Sequence, residues 1–134
     1  MRTQKQRLTA IGLVALTTLV SLGHLASAQR SKAFVSHTAD ANAQAIDTFS
    51  PKDHVIYCIV DAPNAKPNAT YKFVWGRHDP VHTSPQTIFQ EEVTYQSGNR
   101  VVSKFSSPED LPAGDYSVNV WAPASHMRAA FTVK

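Results

Sequence analysis

With a single cysteine, Cys58, in 134 residues, the chain can form no internal disulfide. Acidic residues are missing altogether before Asp40. Glycine is scarce at five residues, and no glycine-rich loop of the kind that cradles a phosphate is present. The serine-hydrolase elbow, the paired-histidine zinc helix and the dinucleotide fingerprint are also missing, which leaves an enzymatic reading without a motif. Past residue 45 no helical period is visible, so neither a helical bundle nor a helix-linked parallel sheet is expected.

What the sequence does have begins with a tripartite leader. Arg2, Lys5 and Arg7 form a positive start, and Leu8 to Val20 is a mostly apolar run without charge. Ala26-Ser27-Ala28 then places small residues where a signal peptidase requires them, with cleavage before Gln29. The apolar run falls short of the roughly 20 residues needed to span a bilayer, and Thr17, Thr18, Ser21 and His24 dilute its far end. A cleaved signal over residues 1–28 is therefore expected, with a soluble periplasmic or secreted product and no membrane span after cleavage. Removing 28 of the 134 residues leaves 106, enough for one domain with a modest core.

The charge of +3 belongs to the leader. Its three basic residues leave 10 Lys and Arg against 10 Asp and Glu in the remainder, a formal charge of zero. No basic stripe stands out among them, so nucleic acid is not an expected partner. Cys58, inside the run Val55–Val60, reads as a small buried hydrophobe whose thiol is a poor nucleophile.

Residues 29–45 are small and polar and read as a flexible lead-in, with Ala33-Phe34-Val35 the one strand-like stretch. From Ile46 to Lys134, alternation with a period of two dominates. An edge strand near Ile46–Phe49 precedes a doubly covered strand over His54–Asp61. Tyr71, Phe73 and Trp75 put three aromatics on one face of the next. Strands follow over Thr87–Gln96 and Val101–Phe105, joined by Ser97-Gly98-Asn99 as a hairpin turn. Two more lie over Tyr116–Trp121 and Met127–Val133. About seven short strands with no helix between them predict an all-β antiparallel sandwich.

The segment Leu111-Pro112-Ala113-Gly114-Asp115-Tyr116-Ser117-Val118 resembles the approach to the sixth strand of immunoglobulin-like and fibronectin-type modules. Trp75 resembles their core tryptophan. The resemblance covers residues 46–134 and implies an immunoglobulin-like sandwich with a tyrosine corner at Tyr116. Val118 stands where antibody-type domains carry the second bridge cysteine, so that disulfide is absent. A sandwich carries no single function with it.

Two sites emerge from the residues. His78-Asp79-Pro80-Val81-His82 puts two imidazoles and a carboxylate within five residues, a set suited to zinc or copper, with His126 and Met127 as further donors. Pro80 prevents the helix that would align His78 with His82. Trp121 has the opposite parity to Tyr116, Val118 and Val120, so it is expected outside the core as a binding-surface residue. Glu91-Glu92 and Glu109-Asp110 read as surface charges, and Asn68-Ala69-Thr70 fits a glycosylation sequon.

These observations favour an exported, non-enzymatic module that binds another protein or a cell-envelope component through loops or an exposed sheet edge. No cofactor is expected, and the oligomeric state is left open. The alternative is a small periplasmic copper- or zinc-binding protein built on His78 and His82.

Overall fold

The computed structural model describes residues 31–134, which form eight strands and no helix. The leader reading falls on residues 1–28, outside the described residues. Among the described residues no helix is long and apolar enough to cross a membrane.

The strands are β1 (Lys32–Ser36), β2 (Thr48–Phe49), β3 (Val55–Asp61), β4 (Thr70–His78), β5 (Gln86–Thr94), β6 (Arg100–Ser106), β7 (Gly114–Ala122) and β8 (Ser125–Val133). They make a three-stranded sheet in the order β1-β3-β6 and a five-stranded sheet in the order β2-β8-β7-β4-β5. The two sheets enclose one core, the arrangement of a β-sandwich. Every pairing is antiparallel except β2 with β8, which is parallel and corrects the expectation of a wholly antiparallel sandwich. Where the sequence suggests a lead-in over 29–45, strand β1 is in place and pairs with β3 from Lys32↔Asp61 to Ser36↔Tyr57.

Alternation decides which side chains enter the core. Tyr71, Phe73 and Trp75 of β4, Tyr116, Val118 and Val120 of β7, and Met127, Ala129, Phe131 and Val133 of β8 are all buried, two residues apart along each strand. The rings form a continuous run. Phe49 meets Phe131 edge-on at 5.3 Å, and Phe131 meets Trp75 at 6.2 Å. Trp75 stacks on Phe105 at 5.5 Å, which reaches Phe89 at 6.0 Å. Cys58 lies in this core without a partner, and burial pushes its thiol up to about 12.

The turn at Ser97-Gly98-Asn99 does not make a hairpin. β5 pairs with β4 and β6 pairs with β3, so the connection carries the chain from one sheet to the other. Gly98 takes a positive φ of 86°, and the Tyr95 hydroxyl donates to its carbonyl at 2.6 Å. The turn chemistry permits a reversal, but pairing is decided elsewhere. Phe89 and Glu91 meet Phe105 and Ser103 through side chains across the core rather than through backbone.

Glu91 is likewise not a surface charge. Its position on β5 turns it inward. The Trp75 indole N–H donates to Ser103 Oγ at 3.0 Å, and the Ser103 hydroxyl donates to Glu91 Oε1 at 2.6 Å. The same carboxylate oxygen accepts the Lys104 backbone N–H at 3.3 Å. One half-buried acid thus satisfies two fully buried polar groups in sequence and ties the edge of one sheet to the other.

Candidate functional site

Trp121 is the penultimate residue of β7, and a two-residue turn, Pro123-Ala124, returns the chain into β8. That turn sets the register, so Trp121 stands opposite His126 and Asn119 opposite Arg128. Because Val120 and Met127 take the core side, Trp121 and His126 project together from the outer face. The Trp121 side is 52% exposed, far more than a tryptophan in a domain of this size needs to be.

The exposed Trp121 ring has neighbours on the same face. The Trp121 and His126 rings stack at 4.0 Å with an interplanar angle of 24°. His126 Nε2 donates to Asn119 Oδ1 at 3.0 Å, since an amide oxygen only accepts, and this fixes the imidazole orientation. Lys72 of β4 lies next to Trp121 in the register, and Glu92 of β5 lies next to Lys72. The result is a flat aromatic pair bordered by one positive and one negative side chain. It can offer stacking area and two charges.

The histidines of the 78–82 segment go to separate partners. His78 ends β4, and its Nε2 lies 3.1 Å from Ser117 Oγ and 3.2 Å from an Arg128 guanidinium nitrogen. His82 Nδ1 lies 3.2 Å from Asp79 Oδ2. The Val81 backbone N–H donates to Asp79 Oδ1 at 2.9 Å, and this bond, with help from His82 and Arg77, holds the Asp79 carboxyl below its usual range. Among the described residues no three His, Cys, Asp or Glu side chains converge as a metal set. His126 and Met127 leave opposite faces of β8, one stacked outside and the other buried, so they do not add donors to one centre.

A second polar cluster lies near the β2–β3 and β6–β7 connections. Lys52 Nζ is 2.7 Å from Asp110 Oδ2, and His54 Nε2 is 2.9 Å from Asp110 Oδ1. Lys52 first, then His54, hold the Asp110 carboxyl below its ordinary value. All three side chains are well exposed, as in surface ion pairs.

Sequence reasoning singles out Trp121 but misses the role of His126 and Asn119, weighing His126 only as a metal donor. The signal that identifies them is the turn Ala122-Pro123-Ala124-Ser125. Once it is read as a two-residue hairpin, Trp121 and His126 become cross-strand neighbours. No family model matches the chain, and no curated protein is similar to it at a significant level.

Proposed function

We propose that the protein is an exported, non-enzymatic immunoglobulin-like module that recognises another protein or a cell-envelope component through the outer face of its five-stranded sheet. The observation that carries this reading is the Trp121–His126 stack, exposed yet held by Asn119. An aromatic side chain fixed in advance loses little conformational freedom on binding, and Trp is among the residues that dominate interface energies.

The immunoglobulin-like reading is supported by three features. The Tyr116 hydroxyl donates to the Pro112 carbonyl at 2.5 Å, the geometry of a tyrosine corner. Trp75 is fully buried between the sheets. The chain also crosses from one sheet to the other between β1 and β2, giving each sheet an edge at that side. Gly114, just before the corner, has φ of 144°, a region that L side chains rarely adopt.

The test is capture from envelope extract and from glycan arrays with the exported protein and its Trp121→Ala variant. A partner held by the first and lost by the second supports the reading. A partner held equally by both removes Trp121 from the site, and no reproducible partner with no glycan binding removes the module reading.

A further inference from the structure

Strand β8 has β7 along its whole length on one side, from Ser125 opposite Ala122 to Val133 opposite Gly114. On its other side β2 covers only Thr132 and Val133. The Thr132 N–H donates to the Asp47 carbonyl at 2.9 Å and the Lys134 N–H to the Phe49 carbonyl at 3.0 Å. Even-numbered residues of β8 therefore direct their backbone groups away from β7. By the alternation of an antiparallel ladder, His126, Arg128 and Ala130 present their N–H and C=O groups outward as well. Among the described residues no backbone group from another strand meets them.

The edge is open because the chain leaves it. The Ile46 N–H donates to the Val35 carbonyl at 2.9 Å, so upstream of Asp47 the segment follows β1 in the other sheet. Between β1 and β8 this leaves a cleft of about 630 Å³. Ala33, Val35, Ile46 and Ala129 line it together with Asp47 and Arg128.

The edges on the opposite side of the sandwich are guarded by contrast. The Lys104 N–H of β6 is capped by Glu91, a carboxylate turned inward from β5. β5 itself carries exposed Glu92. Inward and edge charges of this kind block strand addition.

We propose that the free half of β8 accepts an extended segment of another protein as an added strand, continuing the track of β2 along His126–Ala130. Alternate side chains of that strand enter the cleft beside Ala129 and are apolar. Those on the other face lie across from Arg128, the one Lys or Arg in Ser125–Val133, a stretch without Asp or Glu; an acidic residue is favoured there. The same charge argues against a second copy, because antiparallel self-pairing with His126–Ala130 fully overlapped sets Arg128 against Arg128. This strand site rests on the reading of the domain as a binding module, but not on Trp121.

The probe is a capped octapeptide of alternating valine and threonine with one glutamate on the threonine face. Amide exchange is followed by NMR in the exported protein. The expected result is slowed exchange at His126, Arg128 and Ala130 on peptide addition, with Met127, Ala129 and Phe131 already protected by β7. Replacing the glutamate by lysine weakens binding about threefold. Methylating alternate peptide nitrogens abolishes it, and so does Ala130→Pro, which removes an outward N–H without touching the ladder to β7.

Unchanged exchange at the three amides with every peptide overturns the proposal, as does equal binding of the methylated peptide. Those amides protected in a dimer without peptide overturn the choice of partner. Equal binding of the glutamate and lysine peptides overturns the part given to Arg128. Loss of envelope capture in Trp121→Ala with peptide binding intact separates this site from the aromatic face.

Discussion

Removing the Glu91 carboxylate strands one buried group, the Ser103 hydroxyl. Ser103 is fully buried, so in Glu91→Ala its hydroxyl loses its acceptor while still receiving the Trp75 indole N–H. The Lys104 N–H loses a partner too, although near the surface water replaces it. A hydrogen bond to a charged group contributes about 1.5–3 kcal/mol, and a buried unsatisfied polar group costs about 1–3 kcal/mol. Discounting for the partial exposure of Glu91, Glu91→Ala is expected to destabilise the domain by about 2 kcal/mol. Glu91→Gln keeps an amide oxygen for Ser103 and loses the charge, so about 1 kcal/mol is expected. Urea unfolding monitored by the fluorescence of Trp75, in a Trp121→Phe background, measures both. Adding Ser103→Ala to Glu91→Ala should cost less than the sum of the single changes, since both act on one hydrogen-bonded chain. A Glu91→Ala variant within 0.5 kcal/mol of the parent, or strict additivity with Ser103→Ala, refutes the reasoning.

Three further outcomes follow from the same geometry. Tyr116→Phe removes the bond to Pro112 while keeping the ring stacked on Phe131 at 5.1 Å, and a loss of about 1 kcal/mol by urea unfolding is expected. Cys58, its thiol raised to about 12 by burial, should resist a maleimide at pH 8 and react once the protein is unfolded; rapid labelling of the native state contradicts that. The Asp110 carboxyl is depressed in the folded protein, so its stabilisation is fully present above its ordinary value of 3.8 and is lost as pH falls below it. In acid titrations of unfolding, Asp110→Asn should therefore narrow the gap to the parent as pH drops through that range.

The sequence makes the strands legible because each is written in a period of two. Tyr71-Phe73-Trp75 and Tyr116-Val118-Val120 announce their core faces directly, and Trp121 stands out by being out of phase. The bond from the Tyr116 hydroxyl to the Pro112 carbonyl is legible only through the resemblance of the Gly114–Tyr116 stretch to immunoglobulin-like modules. What the sequence hides is pairing between distant segments. Nothing local to Ser97-Gly98-Asn99 says that its flanking strands join different sheets, and the alternation of β5 counts Glu91 inward only if a charge is allowed there. The acid is allowed because Ser103, twelve residues on, faces it with a buried tryptophan behind. β1 is hidden by its length: five residues give too short a pattern to separate from the alanine-rich stretch around it. The open half of β8 is a property of where β2 stops, and no residue of β8 records it.

The central claim is that Trp121 belongs to a binding face, and iodide quenching of tryptophan emission tests it most directly. In the free protein Trp121 should be quenched and Trp75, fully buried, should not. With the captured partner bound, quenching of Trp121 should disappear, and Trp121→Ala should weaken binding about 30-fold, as expected for an interfacial tryptophan contributing about 2 kcal/mol. A bound complex in which Trp121 is quenched as in the free protein, or in which Trp121→Ala binds with unchanged affinity, contradicts the claim.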